Sequence, residues 1–204
     1  MLKDSDRNKK ESNMKTEDEA LTTQQSISII TEMINNAKGN VKENSIYFLL
    51  WGTVVAIAEI GMFTLVKANY QHPYIVWVIS VPAWIATMIM GYRQGKRARA
   101  TTHFDRIFGW LWFIFGIVIF TLVAFGRTIN WQLTPVIMLM SAIPTVVSGV
   151  VIKFRPLLIG GICFWIFGIL CFLIPEPWDF LIAAAAVTVG YLIPGFMLRY
   201  KKEN

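Results

Sequence analysis

Six long runs of apolar residues dominate this chain and constrain its fold more than any other feature. A helix rises about 1.5 Å per residue, so about 20 apolar residues cross a hydrocarbon core of roughly 30 Å. Hydrophobic residues make up 55% of the chain and charged residues only 16%, a composition typical of membrane proteins. The sequence therefore predicts an all-α membrane protein whose transmembrane domain covers residues 45–204. The six runs lie at about residues 45–66, 74–92, 107–126, 133–152, 157–174 and 179–198.

The residues before the first run divide into two segments. Residues 1–20, MLKDSDRNKKESNMKTEDEA, alternate charges with almost no apolar side chains, which predicts a disordered cytoplasmic tail. In residues 21–44, Ile27, Ile30 and Ile34 form a stripe at helical spacing, which predicts a cytoplasmic amphipathic helix and a linker. The polar face of this helix lacks the lysines of membrane-surface helices. We therefore expect residues 21–40 to bind a protein partner or to support self-association.

The basic residues predict the orientation of the helices. Seventeen of the 19 lysines and arginines lie before the first run, after the last, or in the two loops on the same side; Lys67 and Arg127 are the exceptions. By the positive-inside rule both termini are cytoplasmic, in a multi-pass protein of a bacterial-type inner membrane. The net charge of +6 thus reflects membrane topology, and it predicts no nucleic-acid partner.

The loop between the second and third runs is the most basic of the chain. The lipid bilayer is the partner predicted for its side chains, through anionic headgroups, although a purely topogenic role is the simpler interpretation. The residues concerned are Arg93, Lys96, Arg97 and Arg99.

The six predicted helices form three hairpins that resemble one another. The string IFGI occurs in the second and the third hairpin, 52 residues apart. Each returning helix carries an apolar residue followed by proline, at Pro82, Pro144 and Pro194, and we expect these prolines to bend their helices. The pattern predicts a triplicated repeat of helical hairpins.

Paired glycines suggest a first family resemblance. Gly109 and Gly116, and again Gly161 and Gly168, are seven residues apart, so each pair lies on one helix face that permits close packing. This spacing, with the outer proline of GICFWIFGILCFLIP, resembles acid-resistance membrane proteins built from repeated hairpins. The resemblance implies a six-helix fold and a stress-related role. The first hairpin departs from it, since Glu59 stands where the others have isoleucine.

A second resemblance is local. The string AEIGMFTLVK, residues 58–67, resembles the first helix of small multidrug transporters, in which a glutamate binds protons and cationic drugs in turn. The resemblance implies that Glu59 binds protons or cations. Those transporters have four spans and a shorter chain, so the resemblance covers only this helix.

Glu59 is the acid within the first apolar run, roughly 12 Å from its outer end. At the same depth the other runs carry hydroxyl side chains, which together with Glu59 form a predicted polar layer. This layer either stabilises the bundle or is a proton and ligand site. If it is structural, a protonated Glu59 is hydrogen-bonded within it or approached by Lys67 or Arg127, and Glu59→Leu should destabilise by roughly 1–2 kcal/mol. The predicted partners are Ser80, Thr121, Ser141 and Thr188.

The sequence carries few features of an enzyme. Cys163 and Cys171 are eight residues apart on one helix, without histidine or carboxylate ligands nearby, so we expect packing residues and no metal site. No phosphate-binding loop, nucleophile motif or pair of intramembrane carboxyls is recognised. We therefore predict no enzymatic activity and no cofactor.

Two functions follow from these observations. The first is an accessory, stress-related or regulatory membrane protein whose segment 21–40 binds a partner. The alternative is a proton-coupled exporter of small cationic or hydrophobic compounds that uses Glu59.

Overall fold

The computed structural model describes residues 45–97 and 103–200. These residues are helical apart from short turns, and the described part contains no strand. Six of its helical segments are long and apolar enough to cross a membrane. The predicted all-α fold with six such helices is confirmed, and each helix lies within a few residues of its apolar run. The positions of the termini and the hairpin repeat stay predictions; the tail and the amphipathic helix of residues 1–44 lie outside the described residues.

The six spans are built from seven α-helices and two other helical segments. The second span begins as a 3-10 helix and continues as α2, whereas the sixth consists of α6, a π-helical segment and α7. The helices are α1 Ser45–Lys67, α2 Ser80–Arg97 after the 3-10 segment Pro73–Ile79, α3 His103–Ala124, α4 Leu133–Val151, α5 Arg155–Leu173, α6 Trp178–Val187, the π segment Thr188–Leu192, and α7 Ile193–Tyr200.

Short connections join the spans within each predicted hairpin. They cover residues 68–72, 125–132 and 174–177, and we call the end of the bundle that carries them the outer end, following the charge pattern. Asn69 and Asn130 adopt positive φ angles of 54° and 52° in the first two. Asparagine tolerates this left-handed conformation better than most residues, which suits it to tight turns.

The spans differ in how deeply they are buried. Over an 18-residue stretch of each span, 50% of the sixth and 44% of the fourth is buried, whereas only 6% of the second and of the third is. Indole and phenol groups connect α1 to α2: Trp51 Nε1 donates to Thr87 Oγ1 at 3.1 Å and Tyr47 Oη to Gln94 Oε1 at 2.7 Å. The outward surface of the second and third spans is rich in large apolar side chains, which is compatible with contact to lipid.

Glycines allow the helices of the third hairpin to approach their neighbours closely. A Cβ atom on Gly161 would lie 2.5 Å from a methyl group of Val146, and one on Gly168 would lie 2.9 Å from a methyl group of Leu139. The predicted glycine face of α5 therefore packs against α4. Gly109 has the same spacing to its partner glycine, but in the described part of the chain no atom of another element lies within 4 Å of such a Cβ.

The prolines act differently from one helix to the next. Pro82 lies in the first turn of α2 and Pro144 lies inside α4. Pro194 is the second residue of α7, two positions after the end of the π segment; it has no N–H to donate to the carbonyl of Gly190, four residues earlier. That carbonyl packs against Gly160 of α5, where a Cβ atom would lie only 2.7 Å from its oxygen.

Candidate functional site: a buried carboxyl pair

Glu59 lies on the face of α1 that packs against the rest of the bundle. Its side chain is only 4% exposed, and its neighbours Ala58 and Met62 are buried as well. The Oε2 atom of Glu59 is buried and has no hydrogen-bond partner. An unpartnered buried carboxyl oxygen is costly, because the group has lost its hydration without replacement.

A second acid, Asp179, is buried at the start of α6. It is 4% exposed, and its Oδ1 atom likewise has no hydrogen-bond partner. Asp179 lies in the first turn of α6, where the partial positive charge of a helix N-terminus favours an acid. This placement corrects the sequence analysis, which counted no pair of intramembrane carboxyls.

Aromatic packing brings these two acids to the same region of the bundle. The rings of Phe63 on α1 and Trp178 on α6 are 5.4 Å apart between centroids. Glu59 is one turn inward from Phe63, and Asp179 directly follows Trp178. The two carboxyl groups are close enough that the charge of Asp179 acts on Glu59.

Cys171 connects α5 to this carboxyl pair. Its thiol is buried and donates to the backbone carbonyl of Asp179, with 3.5 Å between sulfur and oxygen. The charges of both Asp179 and Glu59 act on this thiol. Cys171 therefore does more than fill space as a packing residue, because α1, α5 and α6 meet at the carboxyl pair.

No basic side chain neutralises the pair within the described part of the chain. The Nζ atom of Lys67 lies 5.4 Å from the ring centroid of Phe63 and 5.5 Å from that of Trp178, so it rests on aromatic faces. Arg127 is exposed in the turn between α3 and α4. The approach of Lys67 or Arg127 toward Glu59 that the sequence suggested is thus not seen in the structure.

The pair differs electrically from a single buried acid. Two neighbouring carboxylates without a cation repel each other, and each also loses solvation energy on burial. The arrangement is therefore most stable when at least one of the two acids carries a proton or when a cation lies between them.

The hydroxyl residues of the predicted polar layer do not hydrogen-bond to Glu59. Each donates to a carbonyl of its own helical segment, at 2.6–2.9 Å. Thr121 and Thr188 are exposed, Ser80 is half-buried and Ser141 is buried. The structure therefore brings Glu59 together with Asp179 and not with these four hydroxyls; a ligand role for Ser80, Thr121, Ser141 and Thr188 stays a prediction.

Ser141 belongs to a separate buried polar cluster around Tyr191. The hydroxyls of Thr145 and Tyr191 are hydrogen-bonded at 3.2 Å, and Thr145 donates to the carbonyl of Ser141 at 2.6 Å. Nearby, Trp112 Nε1 donates to Ser148 Oγ at 3.3 Å. These hydroxyls and the indole N–H have hydrogen-bond partners, whereas each acid of the carboxyl pair has one oxygen without a partner.

Sequence reasoning missed Asp179 because this residue lies at the boundary between a loop and a helix. The sequence places Glu176 and Asp179 together near the last outer turn, and only Asp179 is turned into the bundle. One signal was available, since an acid two residues after proline and beside a tryptophan suits the first turn of a helix.

The predicted lipid-headgroup residues lie at the opposite end of the second span. Arg93 and Lys96 are exposed, and Lys96 Nζ lies 4.7 Å from the ring centroid of Tyr92. Arg99 and the side chain of Arg97 lie outside the described residues. Headgroup contact at these four positions stays a prediction.

Comparison with known proteins identifies no relative. The chain matches no protein-family model, no curated protein and no solved structure. The two resemblances drawn from short motifs therefore stay predictions. Within residues 45–97 and 103–200, no group of three histidine, cysteine or acidic side chains is arranged to hold a metal ion.

Proposed function

We propose that this chain is a multi-pass membrane protein that couples proton binding at Glu59 and Asp179 to the movement of small cations. The observation that carries the proposal is the pair of buried carboxyl groups, each with one oxygen that has no hydrogen-bond partner. Ionisable groups inside a membrane protein are costly to bury, so function is the default hypothesis for them.

The physical basis of coupling is competition for one negatively charged site. With a proton on one or both acids, the pair is close to neutral and the helices can remain packed around it. When the protons leave, the repulsion between two buried carboxylates favours a cation as a replacement. Protons and cations would therefore bind in alternation, which is the requirement for exchange across a membrane.

The alternative from the sequence, an accessory protein, depends on other parts of the chain. Its partner-binding segment, residues 21–40, lies outside the described residues, so that role and the lack of enzymatic activity stay predictions. The sequence favoured the accessory role because Glu59 had no partner acid. Asp179 supplies that acid, and the exporter is therefore the function that we advance.

Transport can be tested with purified full-length protein in liposomes that contain a pH-sensitive dye and a more acidic interior. Sodium, tetramethylammonium and methylguanidinium are added outside in turn. We expect at least one of them to accelerate proton efflux through the wild-type protein, and Glu59→Gln to reduce this rate to that of empty liposomes. The glutamine keeps the size of the side chain but cannot ionise.

Arg127→Gln provides the control, because it changes a charge at the outer end without touching the pair. This variant should retain the wild-type rate. Proton efflux that is equal in wild type and Glu59→Gln, or no acceleration by any of the three cations, would contradict the proposed function.

A further inference from the structure

A polar cavity opens at the outer end of the bundle and reaches Asp179. Its volume is about 270 Å³, and it lies between the starts of α4 and α6 and the end of α5. Residues with hydrogen-bonding side chains line it at Gln132, Thr134, Glu176 and Asp179, and Trp131 also belongs to the lining. A water molecule occupies about 30 Å³ in the liquid, so the cavity can hold a small organic molecule.

We propose that this cavity is a binding site for a small organic cation with N–H donors, such as a guanidinium or a protonated primary amine. This inference rests on the proposed function and specifies the class of substrate. Asp179 is the central residue, because it belongs both to the cavity lining and to the carboxyl pair.

Charge favours a cation over an anion at this place. Glu176 and Asp179 are both acidic, and among the residues that the structure describes the lining contains no lysine, arginine or histidine. Trp131 adds an aromatic wall, to which organic cations are attracted by the ring quadrupole. The end of α5, which also lines the cavity, carries the partial negative charge of a helix C-terminus.

Two helices begin at the cavity, and their N–H groups could in principle attract anions instead. At α6 the N–H groups of Trp178 and Phe180 already donate to the carbonyls of Pro175 and Pro177. At α4, Pro135 is the third residue of the helix and has no N–H. Few free N–H donors therefore remain at the two helix starts, and the charges of Glu176 and Asp179 dominate the cavity.

Hydrogen bonding separates donor-bearing cations from quaternary ammonium ions. Asp179 has a buried oxygen with no partner, so an N–H group would supply the hydrogen bond that this carboxyl lacks. A quaternary ammonium ion has the same charge but no donor. Charged hydrogen bonds stabilise more strongly than neutral ones, so this difference should dominate selectivity.

Binding can be measured by calorimetry on the full-length protein in detergent at alkaline pH, with methylguanidinium as the probe. Methylguanidinium stays charged at every pH used, so any pH dependence belongs to the protein. We expect Asp179→Asn to weaken its affinity about tenfold or more. We expect Glu176→Gln, at an exposed position, to weaken it about threefold, because solvent screens that charge.

Tetramethylammonium is the control ligand and Arg127→Gln the control variant. Arg127 is not part of the cavity lining, so this variant should bind methylguanidinium at least as tightly as the wild type. Because Glu176 is exposed, Glu176→Gln remains informative even if Asp179→Asn does not fold.

The possible outcomes separate this inference from the proposed function. Tetramethylammonium binding as tightly as methylguanidinium, or unchanged affinity in Glu176→Gln and in any folded Asp179→Asn, would overturn the cavity assignment. If sodium drives Glu59-dependent proton efflux while methylguanidinium does not bind, the inference fails and the proposed function stands. If no cation is coupled to protons, both fail.

Discussion

At the scale of single residues, the cost of burying Glu59 is the central observation. Its Oε2 atom has no hydrogen-bond partner in the structure, and the charge that acts on it is that of another acid, Asp179. The titratable and charged groups around the pair are Cys171 on α5, Glu176 in the preceding turn and Lys67 on α1, which rests on aromatic rings. The pair therefore weakens the fold, a cost that the proposed function would account for.

Replacement of Glu59 should consequently stabilise the protein. Glu59→Leu removes a buried unpartnered acid and its repulsion with Asp179, so we expect the free energy of unfolding to rise by about 1–3 kcal/mol. This reverses the loss expected if Glu59 joined a hydrogen-bonded layer. Thermal unfolding in detergent at neutral pH measures the effect; Glu59→Gln should give a smaller gain. A clear loss of stability in Glu59→Leu would show that the carboxyl has bonding partners.

At the scale of helices, close packing depends on where a glycine lies and not only on its spacing. Gly160 faces the Gly190 carbonyl that Pro194 leaves without its usual donor, whereas no atom of another element in residues 45–97 and 103–200 lies close to Gly109. Sequence spacing predicted the packed face of α5 at Gly161 and Gly168, yet the same spacing at Gly109 has no packing neighbour. Periodicity identifies a small-residue face but not the helix that lies beside it.

Alanine substitutions distinguish these two glycines. In Gly160→Ala the new methyl group would lie 2.7 Å from a backbone oxygen, so the helices must separate, and we expect a loss of about 1–3 kcal/mol. In Gly109→Ala nothing obstructs the methyl group, and the lower entropy of the unfolded chain should stabilise by about 0.4–1 kcal/mol. Equal effects in thermal unfolding would mean that the contact between α5 and the π segment is looser than the structure describes.

At the scale of the whole molecule, the apolar runs alone were enough to predict six helices in nearly the right places. The thickness of the hydrocarbon core sets the length of these apolar runs, so they can be recognised without knowledge of tertiary contacts. Asp179 and the π segment Thr188–Leu192 were not predicted. The first depends on a helix boundary that sequence fixes only to within a few residues, and the second on how Gly190, in the turn before Pro194, packs against α5.

The orientation of the molecule rests on its basic residues and can be tested by labelling. In a variant without native cysteines, cysteines at Gln71 and Thr128, both exposed at the outer end, should react with an impermeant thiol reagent on intact cells. A cysteine at Thr101, in the basic loop of the sequence, should react only after the membrane is opened. These positions avoid Asn69 and Asn130, whose positive φ angles would strain a cysteine. Labelling of Thr101→Cys on intact cells would show that the orientation is the opposite of the predicted one.

The most direct test of the account is whether Glu59 and Asp179 bind protons. Infrared difference spectra of the full-length protein in lipid, recorded between about pH 5 and about pH 9, detect the carbonyl stretch of protonated carboxylic acids. We predict a protonated-acid band in the wild type that decreases as the pH rises. This band should be reduced in Glu59→Gln and in Asp179→Asn, and absent from the double variant. A wild-type spectrum without such a band, or a band unchanged in the double variant, would contradict proton binding by this carboxyl pair.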